Sequence, residues 1–208
     1  MANIIAFDVD GTLFNTMKGV QAALNHTLAV YKLPPVPDED MSQYIGPPIR
    51  ESFTKLLNNR DLAEEATVLF RQVYVDKYLK LSAYYENMER LLPKLILEKD
   101  AVLCIATLKT QRQMEILSSQ FSLSDSFDTI LGTTEDGKLK KWQMLMSLKE
   151  KYGMENNTFY MIGDTMRDYE AAKEADFHFI GVSYGYGSFP DNFEHPVADS
   201  VMEIAEYI

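Results

Sequence analysis

Close to the N-terminus the chain reads Asn-Ile-Ile-Ala-Phe-Asp-Val-Asp-Gly-Thr, at residues 3–12. The apolar residues before Asp8 predict a β-strand, and the side chains of Asp8 and Asp10, two residues apart at its end, project to the same side. Two carboxylates this close repel each other unless a cation, a shared proton or a division of chemical roles relieves the conflict. Gly11 lets the backbone turn sharply and a ligand approach. The stretch is typical of an aspartate nucleophile beside a metal ion and a general acid.

The composition is that of a folded protein with a substantial core. With 208 residues, of which 46% are hydrophobic, the chain suits one large domain or a core with a small insert. We expect no membrane span, because no apolar run reaches 18 residues, and no signal peptide, because the N-terminus lacks a charged start and a long apolar stretch. The single cysteine, Cys104, is expected to be a buried small hydrophobe. Because a single cysteine cannot form an internal disulfide, we expect a reducing, cytoplasmic compartment.

The net charge of −11 excludes one class of partner and constrains another. Nucleic-acid binders need a basic face, so we expect no nucleic-acid partner. An anionic substrate needs a local positive site against the overall negative field. A bound divalent cation with one or two lysines would provide that site.

Predicted strands alternate with predicted helices in the second part of the chain. Strands are expected at 101–107, 129–131, 158–162 and 178–182, and helices at 87–97, from a capping box of Thr110 and Gln113, at 140–152, at 168–175 and from Asp199 to Tyr207. This alternation predicts an α/β fold with a doubly wound parallel, Rossmann-like sheet.

The segment between the first and second predicted strands reads as all helical. Helices are expected at 16–31, at 38–44 with Asp38 as the cap, and from Asp61 to Leu81, where Asp61 and Glu64 resemble a capping box. Because this block is too long for one crossover, we expect an inserted helical cap domain at 15–85 and a core domain formed by 1–14 and 86–208.

Ligands of such sheets sit at the carboxyl ends of the strands, where further acidic residues follow Asp8. A later predicted strand ends in Gly163-Asp164, and Asp168 lies one turn further along if Asp164 opens a helix. Together with Asp8 these oxygen ligands suit Mg²⁺. The alternative is that the two acids merely favour a helix N-terminus; the first motif makes the metal site the stronger interpretation.

Polar and cationic residues follow at two other predicted strand and helix ends. The hydroxyl of Thr107 and the amides of Leu108 and Lys109 could bind phosphate oxygens before a helix, although a strand-terminal threonine often has no ligand. Lys140 and Lys141 open a helix, where the dipole disfavours a cation. Either a phosphate-binding role or simple solvation explains them, and the spacing of the core residues favours Lys141.

The set of motifs resembles the haloacid dehalogenase superfamily of phosphohydrolases over nearly the whole chain. The motifs are Asp8-x-Asp10-Gly11-Thr12, Thr107, Lys141 and Gly163-Asp164-x3-Asp168. Within the superfamily, Ile45-Gly46-Pro47-Pro48 and Gly185-Tyr186-Gly187 are similar to the phosphoglycolate-phosphatase-like branch.

The resemblance implies a role for each motif residue. Asp8 would form an aspartyl phosphate and Asp10 would act as acid and then as base. Mg²⁺ would be held by Asp8, the Asp10 carbonyl oxygen and Asp164, with Asp168 in support. Thr107, Leu108 through its amide, and Lys141 would bind the phosphoryl group of a small phosphorylated metabolite.

Several positions differ from the family pattern or bear on substrate choice. Leu108 stands where relatives often have Asn or Ser, and Asn15 where they often have Asp. Lys109 is common in the branch and is expected near the substrate. Arg50 would suit a carboxylate on the substrate, or is a solvated surface arginine.

Other activities remain open at this point. On the same fold these are a sugar phosphomutase, a nucleotidase or a pyrophosphatase, and in another class a phospho-accepting signalling domain. The chain is compatible with a monomer or a homodimer.

Overall fold

The first predicted strand forms and lies inside a parallel sheet in the computed structural model, which describes residues 2–44 and 49–208. The strands are β1 (Ala2–Phe7), β2 (Phe14–Asn15), β3 (Ala83–Tyr84), β4 (Ala101–Thr110), β5 (Thr129–Thr133), β6 (Asn157–Gly163), β7 (His178–Val182) and β8 (Val197–Ala198). The α-helices are α1 (Met17–Val30), α2 (Ile49–Leu57), α3 (Arg60–Val73), α4 (Met88–Glu98), α5 (Gln111–Phe121), α6 (Lys141–Tyr152) and α7 (Met166–Glu174). Short 3-10 helices cover Asp38–Gln43, Leu79–Leu81, Leu123–Asp125 and Val201–Glu206, and a π-helix covers Tyr74–Tyr78.

The six-stranded sheet has the order β5-β4-β1-β6-β7-β8 with parallel pairing throughout. β1 lies between β4 and β6, so that Phe7 pairs with Ile105 on one side and Ile162 on the other. Parallel strands need helical crossovers, which cover both faces of the sheet. The predicted doubly wound, Rossmann-like α/β fold is confirmed. Because the strands are parallel, the residues that follow β1, β4 and β6 meet at one edge of the sheet.

Four consecutive apolar residues of β1, at 4–7, are buried and contribute to the core on both faces of the sheet. One cluster combines strand residues such as Ile4 and Ala6 with residues of α6 and α7; its helical members include Met144, Leu145, Leu148, Ala171 and Ala172. Each fully buried Leu or Met side chain contributes about 1.5–3 kcal/mol relative to exposure. This packing fixes the strand ends from which the candidate site is built.

The chain divides into two units. One consists of Met1–Phe14 with Tyr84–Ile208 and contains the sheet, and the other is Asn15–Ala83, which is helical. In the helical unit α2 packs on α3, with the rings of Phe53 and Phe70 in edge contact at 6.0 Å. Among the described residues, no helix combines the length and the apolar character that crossing a membrane requires.

Three predicted helix caps are wrong in the same way. α3 begins at Arg60, and its cap is Asn59, whose side chain accepts from the amides of Asp61 and Leu62 at 2.9 and 3.1 Å. Asp38 is the first residue of a 3-10 helix and not its cap, which is Pro37. The Asp38 side chain accepts a hydrogen bond from the Gln21 side chain at 2.5 Å. Asp199 accepts from the Ser183 hydroxyl at 2.6 Å, and Ser200 takes the cap position of a 3-10 helix. In each case a neighbouring residue has the extended backbone that a cap requires.

Candidate active site

Asp8 follows β1 and is held by its backbone to the neighbouring strand. Its N–H donates to the carbonyl of Ile162 in β6 at 2.9 Å, and its Oδ1 lies 2.8 Å from the Nζ of Lys141. Burial raises the pKa of the Asp8 carboxyl to about 7; the Lys141 ammonium opposes this shift, and the carboxylates of Asp168 and Asp164 add to it. Asp8 is therefore a buried acid that needs positive charge to remain ionised near neutral pH.

Lys141, the first residue of α6, supplies one such charge. Its ammonium lies against the carboxylates of both Asp8 and Asp168, and its side chain is 8% exposed. Burial tends to lower the pKa of Lys141, but Asp168 and Asp8 raise it beyond its usual range. Its neighbour Lys140 is exposed, and its backbone N–H is capped by the Gln143 side chain at 2.9 Å. Of the two lysines, the structure brings Lys141 to the acidic cluster.

Asp164 follows β6 and is fixed by backbone donors from a distant loop. Its Oδ2 accepts from the amides of Tyr186 and Gly187 at 2.8 and 3.2 Å, and its Oδ1 accepts from the Thr12 hydroxyl at 3.4 Å. Burial and the Asp168 carboxylate raise the pKa of Asp164 to about 6, while the two amides lower it. A carboxylate held by two amides keeps one orientation.

Glycines make room for the Asp164 carboxyl group. A Cβ atom at Gly11 or at Gly185 would overlap Asp164, and Gly11 also has a φ of +80°. Side chains are excluded at both positions, so the backbone approaches this carboxylate from two sides. The sequence motif Gly185-Tyr186-Gly187 was the signal for these contacts, but it did not reveal that its amides bind Asp164.

Asp168 occupies the third position of α7, and Asp164 lies just before the cap of this helix rather than opening it. The cap is Thr165, whose N–H and hydroxyl donate to Asp168 Oδ2 at 3.0 and 2.6 Å. The other oxygen of Asp168 pairs with Lys141. Asp168 therefore links the start of α7 to the start of α6, which orients Lys141 toward Asp8.

Asp10 lies beside a second lysine. The Nζ of Lys109 is 3.0 Å from Asp10 Oδ1, with the Lys109 side chain 5% exposed and that of Asp10 31% exposed. The sequence interpretation expected Lys109 near the substrate but did not connect it with Asp10. Both residues belong to the unit that contains the sheet.

The prediction that the second strand ends at Thr107 is wrong. β4 continues to Thr110, which pairs with Thr133 after an irregularity in the register. Thr107 is buried, and its Oγ1 accepts the N–H of Lys109 at 3.3 Å, whereas Leu108 is 49% exposed. The predicted capping box of Thr110 and Gln113 opens α5.

Arg50 belongs to the helical unit and forms an exposed ion pair. Its Nη1 lies 2.6 Å from Glu64 Oε1, with side chains 53% and 50% exposed. Such surface pairs contribute about 0–1 kcal/mol. The loop Ile45-Gly46-Pro47-Pro48 lies outside the described residues.

The acidic cluster fits a hard divalent cation. Asp8, Asp164 and Asp168 are buried and each offers a carboxylate oxygen, with these oxygens within 4.8 Å of one another. One ammonium, that of Lys141, pairs with two of these three acids. Oxygen donors, close spacing and raised acid pKa values are the properties that a site for Mg²⁺ would have.

Comparison with known proteins agrees with this fold. The sequence profile of the haloacid dehalogenase-like hydrolases matches residues 5–182, and the chain belongs to this family. It is 27% identical to a phosphoglycolate phosphatase from Mannheimia succiniciproducens, over 95% of this chain and 90% of the relative.

Two further relatives show the range of proteins that this chain resembles. A solved structure from Clostridium acetobutylicum, described as a predicted phosphatase, has a TM-score of 0.84 and 27% identity over 99% of this chain and 97% of the other. The tyrosine-protein kinase PtkA of Mycobacterium tuberculosis is 26% identical over 88% of this chain and 63% of the relative.

Proposed function

We propose that the chain is a Mg²⁺-dependent phosphatase that hydrolyses a small phosphomonoester through an aspartyl phosphate on Asp8. The observation that carries the proposal is the asymmetry of the first motif. Asp8 lies against the Lys141 ammonium in an acidic cluster, whereas Asp10 lies outside that cluster beside Lys109. Two carboxylates in such different surroundings suit different chemical roles.

The cation would be held by the carboxylates of Asp8 and Asp164 and by the backbone carbonyl of Asp10. Asp168 would support this set through its contacts with Lys141 and Thr165. When bound, Mg²⁺ would neutralise charge on the nucleophile and the phosphoryl group.

In the first step a carboxylate oxygen of Asp8 forms a bond to phosphorus, and the bond from phosphorus to the ester oxygen breaks. The Thr107 hydroxyl, the Leu108 amide and the Lys141 ammonium bind the phosphoryl oxygens, where negative charge is concentrated. Asp10 in its protonated form donates to the departing alcohol oxygen. The step leaves a phosphoryl group on Asp8 and a carboxylate on Asp10.

In the second step water attacks the phosphorus of the aspartyl phosphate. Asp10 accepts the proton from that water, and the Asp8 carboxylate departs from phosphorus. The sum of the two steps converts a phosphomonoester and water into an alcohol and inorganic phosphate. Both aspartates return to their starting states.

The substrate class follows from the relatives named as phosphoglycolate phosphatases, and we propose a small ester such as phosphoglycolate. The helical unit Asn15–Ala83 would act as the cap that selects the substrate. Arg50 is the candidate for binding the substrate carboxylate. Arg50→Ala is then expected to raise KM for phosphoglycolate and to leave KM for p-nitrophenyl phosphate unchanged.

The test is phosphate release from phosphoglycolate and a panel of other phosphomonoesters, with Mg²⁺ and with a chelator. Wild-type protein and Asp136→Asn, which alters an exposed acid paired with Lys138, are expected to release phosphate. Asp8→Asn and the chelated protein are expected to release none. Full activity of Asp8→Asn would contradict the proposal, and isomerised sugar phosphate without free phosphate would indicate a phosphomutase instead.

A further inference from the structure

Lys109 is a buried lysine whose ammonium pairs with the more exposed aspartate of the first motif. Its side chain is 5% exposed and its Nζ lies 3.0 Å from Asp10 Oδ1. Lysines are seldom buried without an anion, because removing an ammonium from water is costly. The fold therefore maintains this pair at the same end of the sheet as Asp8.

The end of β4 brings Lys109 to Asp10. Regular pairing with β5 reaches Thr107 and resumes at Thr110, so the intervening backbone departs from the ladder. Thr107 is buried, Leu108 is exposed and Lys109 is buried, which is the alternation expected of an extended chain. The Thr107 hydroxyl oxygen accepts the Lys109 N–H at 3.3 Å and fixes the backbone from which the lysine extends.

We infer that Lys109 is a positioning residue that acts through Asp10, holding the Asp10 carboxyl group where it can serve the departing ester oxygen. The inference rests on the proposed function, which makes Asp10 the proton donor. A general acid is effective only within hydrogen-bond reach of the atom it serves. A side chain that is 31% exposed has room for other rotamers, and the ammonium favours one of them.

The contribution of Asp10 to phosphoenzyme formation depends on the leaving group. Asp8 forms its bond to phosphorus, the bond to the ester oxygen breaks, and that oxygen takes the proton of Asp10. p-Nitrophenolate is stable enough to depart without the proton, whereas phenolate gains more from receiving it. Phenyl phosphate and p-nitrophenyl phosphate are nearly alike in shape, so their difference isolates the contribution of Asp10.

The experiment measures the single-turnover rate of phosphoenzyme formation with each ester. Lys109→Met keeps most of the length of the side chain and removes its charge. We expect a loss of about 30-fold with phenyl phosphate, which is smaller than the roughly 10²–10⁴-fold that a general acid itself contributes. With p-nitrophenyl phosphate we expect a loss of less than about 3-fold. Lys109→Arg, which keeps a cation, is expected to recover part of the loss with phenyl phosphate.

Two controls separate positioning from a general defect. Lys138→Met, which removes an exposed lysine paired with Asp136, is expected to behave as wild type with both esters. Mg²⁺ affinity measured by calorimetry without substrate is expected to remain within about twofold of wild type in Lys109→Met. If Lys109 instead supported the metal ligands, its loss would lower the Mg²⁺ affinity by about 10–100-fold.

The possible results separate failure of the inference from failure of the proposed function. Equal losses of rate with both esters would overturn the inference, because Lys109 would then act on phosphoryl binding. No loss with either ester would overturn it by showing that Lys109 has no role in this step. A large drop in Mg²⁺ affinity would overturn it because Lys109 would then act on the metal site. Failure of the wild-type protein to form phosphoenzyme with either ester would overturn the proposed function, and the inference with it.

Discussion

Replacing Asp8 with asparagine is expected to stabilise the metal-free protein at pH 8. Burial raises the pKa of the Asp8 carboxyl from 3.8 to about 7, against the effect of Lys141 and with the help of Asp168 and Asp164. The folded protein therefore favours a neutral side chain at this position. Asparagine is neutral and of similar size, and Lys141 keeps its pair with Asp168.

The magnitude follows from the interval between the two pKa values. Because the folded-state pKa lies above the unfolded one, the contribution of Asp8 to stability is complete below pH 3.8 and is lost as the pH rises through about 7. At about 1.4 kcal/mol for each pH unit, the loss at pH 8 is on the order of 4 kcal/mol. Asparagine accepts a weaker hydrogen bond from Lys141, so we expect a net gain of about 2 kcal/mol.

The assay is urea unfolding of wild type and Asp8→Asn with a chelator at pH 8 and pH 5. The gain is expected to shrink by more than half at pH 5, and Asp136→Asn, at an exposed position, is expected to show no gain. With Mg²⁺ the order should reverse, because a ligand that binds the folded state stabilises it and wild type binds the cation more tightly. Equal or lower stability of metal-free Asp8→Asn at pH 8 would refute the reasoning.

Three further perturbations test separate parts of the structure. Asp164→Asn is expected to fold normally and to lower Mg²⁺ affinity by more than about 100-fold in calorimetry, beyond the loss typical of outer partners; an unchanged affinity would remove Asp164 from the metal site. Gly11→Ala adds a Cβ that overlaps Asp164 at a φ of +80°, whereas Gly137→Ala adds one at +67° with no atom within 4 Å. In urea unfolding we expect Gly11→Ala to cost at least about 2 kcal/mol and Gly137→Ala about 1 kcal/mol, and equal costs would disprove the overlap. Asn59→Ala removes the cap of α3 and should cost about 1 kcal/mol by the same measurement without changing phosphate release; an unchanged stability would show that the cap is dispensable.

The fold was predictable because its signals are local and repeated. β7 forms over His178–Val182, as predicted, and α6 ends at Tyr152 before Gly153, whose φ is +74°. Apolar runs and helical spacing mark such elements directly. Helix caps were less predictable, since Asn59 and Asp61 are both good caps and only the backbone conformation decides between them.

The contacts of the candidate site were only partly predictable. The meeting of Asp8, Asp164 and Lys141 follows from parallel strands that end at one edge of the sheet. The pair of Lys109 with Asp10 does not follow, because it depends on an irregularity of β4 after Thr107. A bulge of this kind leaves little trace in the pattern of apolar residues.

The hydrogen bonds from the Tyr186 and Gly187 amides to Asp164 could not be predicted from the sequence either. Backbone donors carry no side-chain signature, and these two lie more than twenty residues beyond the carboxylate they bind. Only the glycines of the loop mark the close approach.

The most direct test of the central claim is to identify the residue that carries the phosphoryl group. Asp10→Asn can form the aspartyl phosphate from p-nitrophenyl phosphate, whose leaving group needs no proton, but lacks the base for its hydrolysis. After acid quench, peptide mass spectrometry of this variant is expected to find one phosphoryl group on Asp8, and none when Asp8→Asn is added. A phosphoryl group on any other residue, or turnover without a covalent intermediate, would contradict the account.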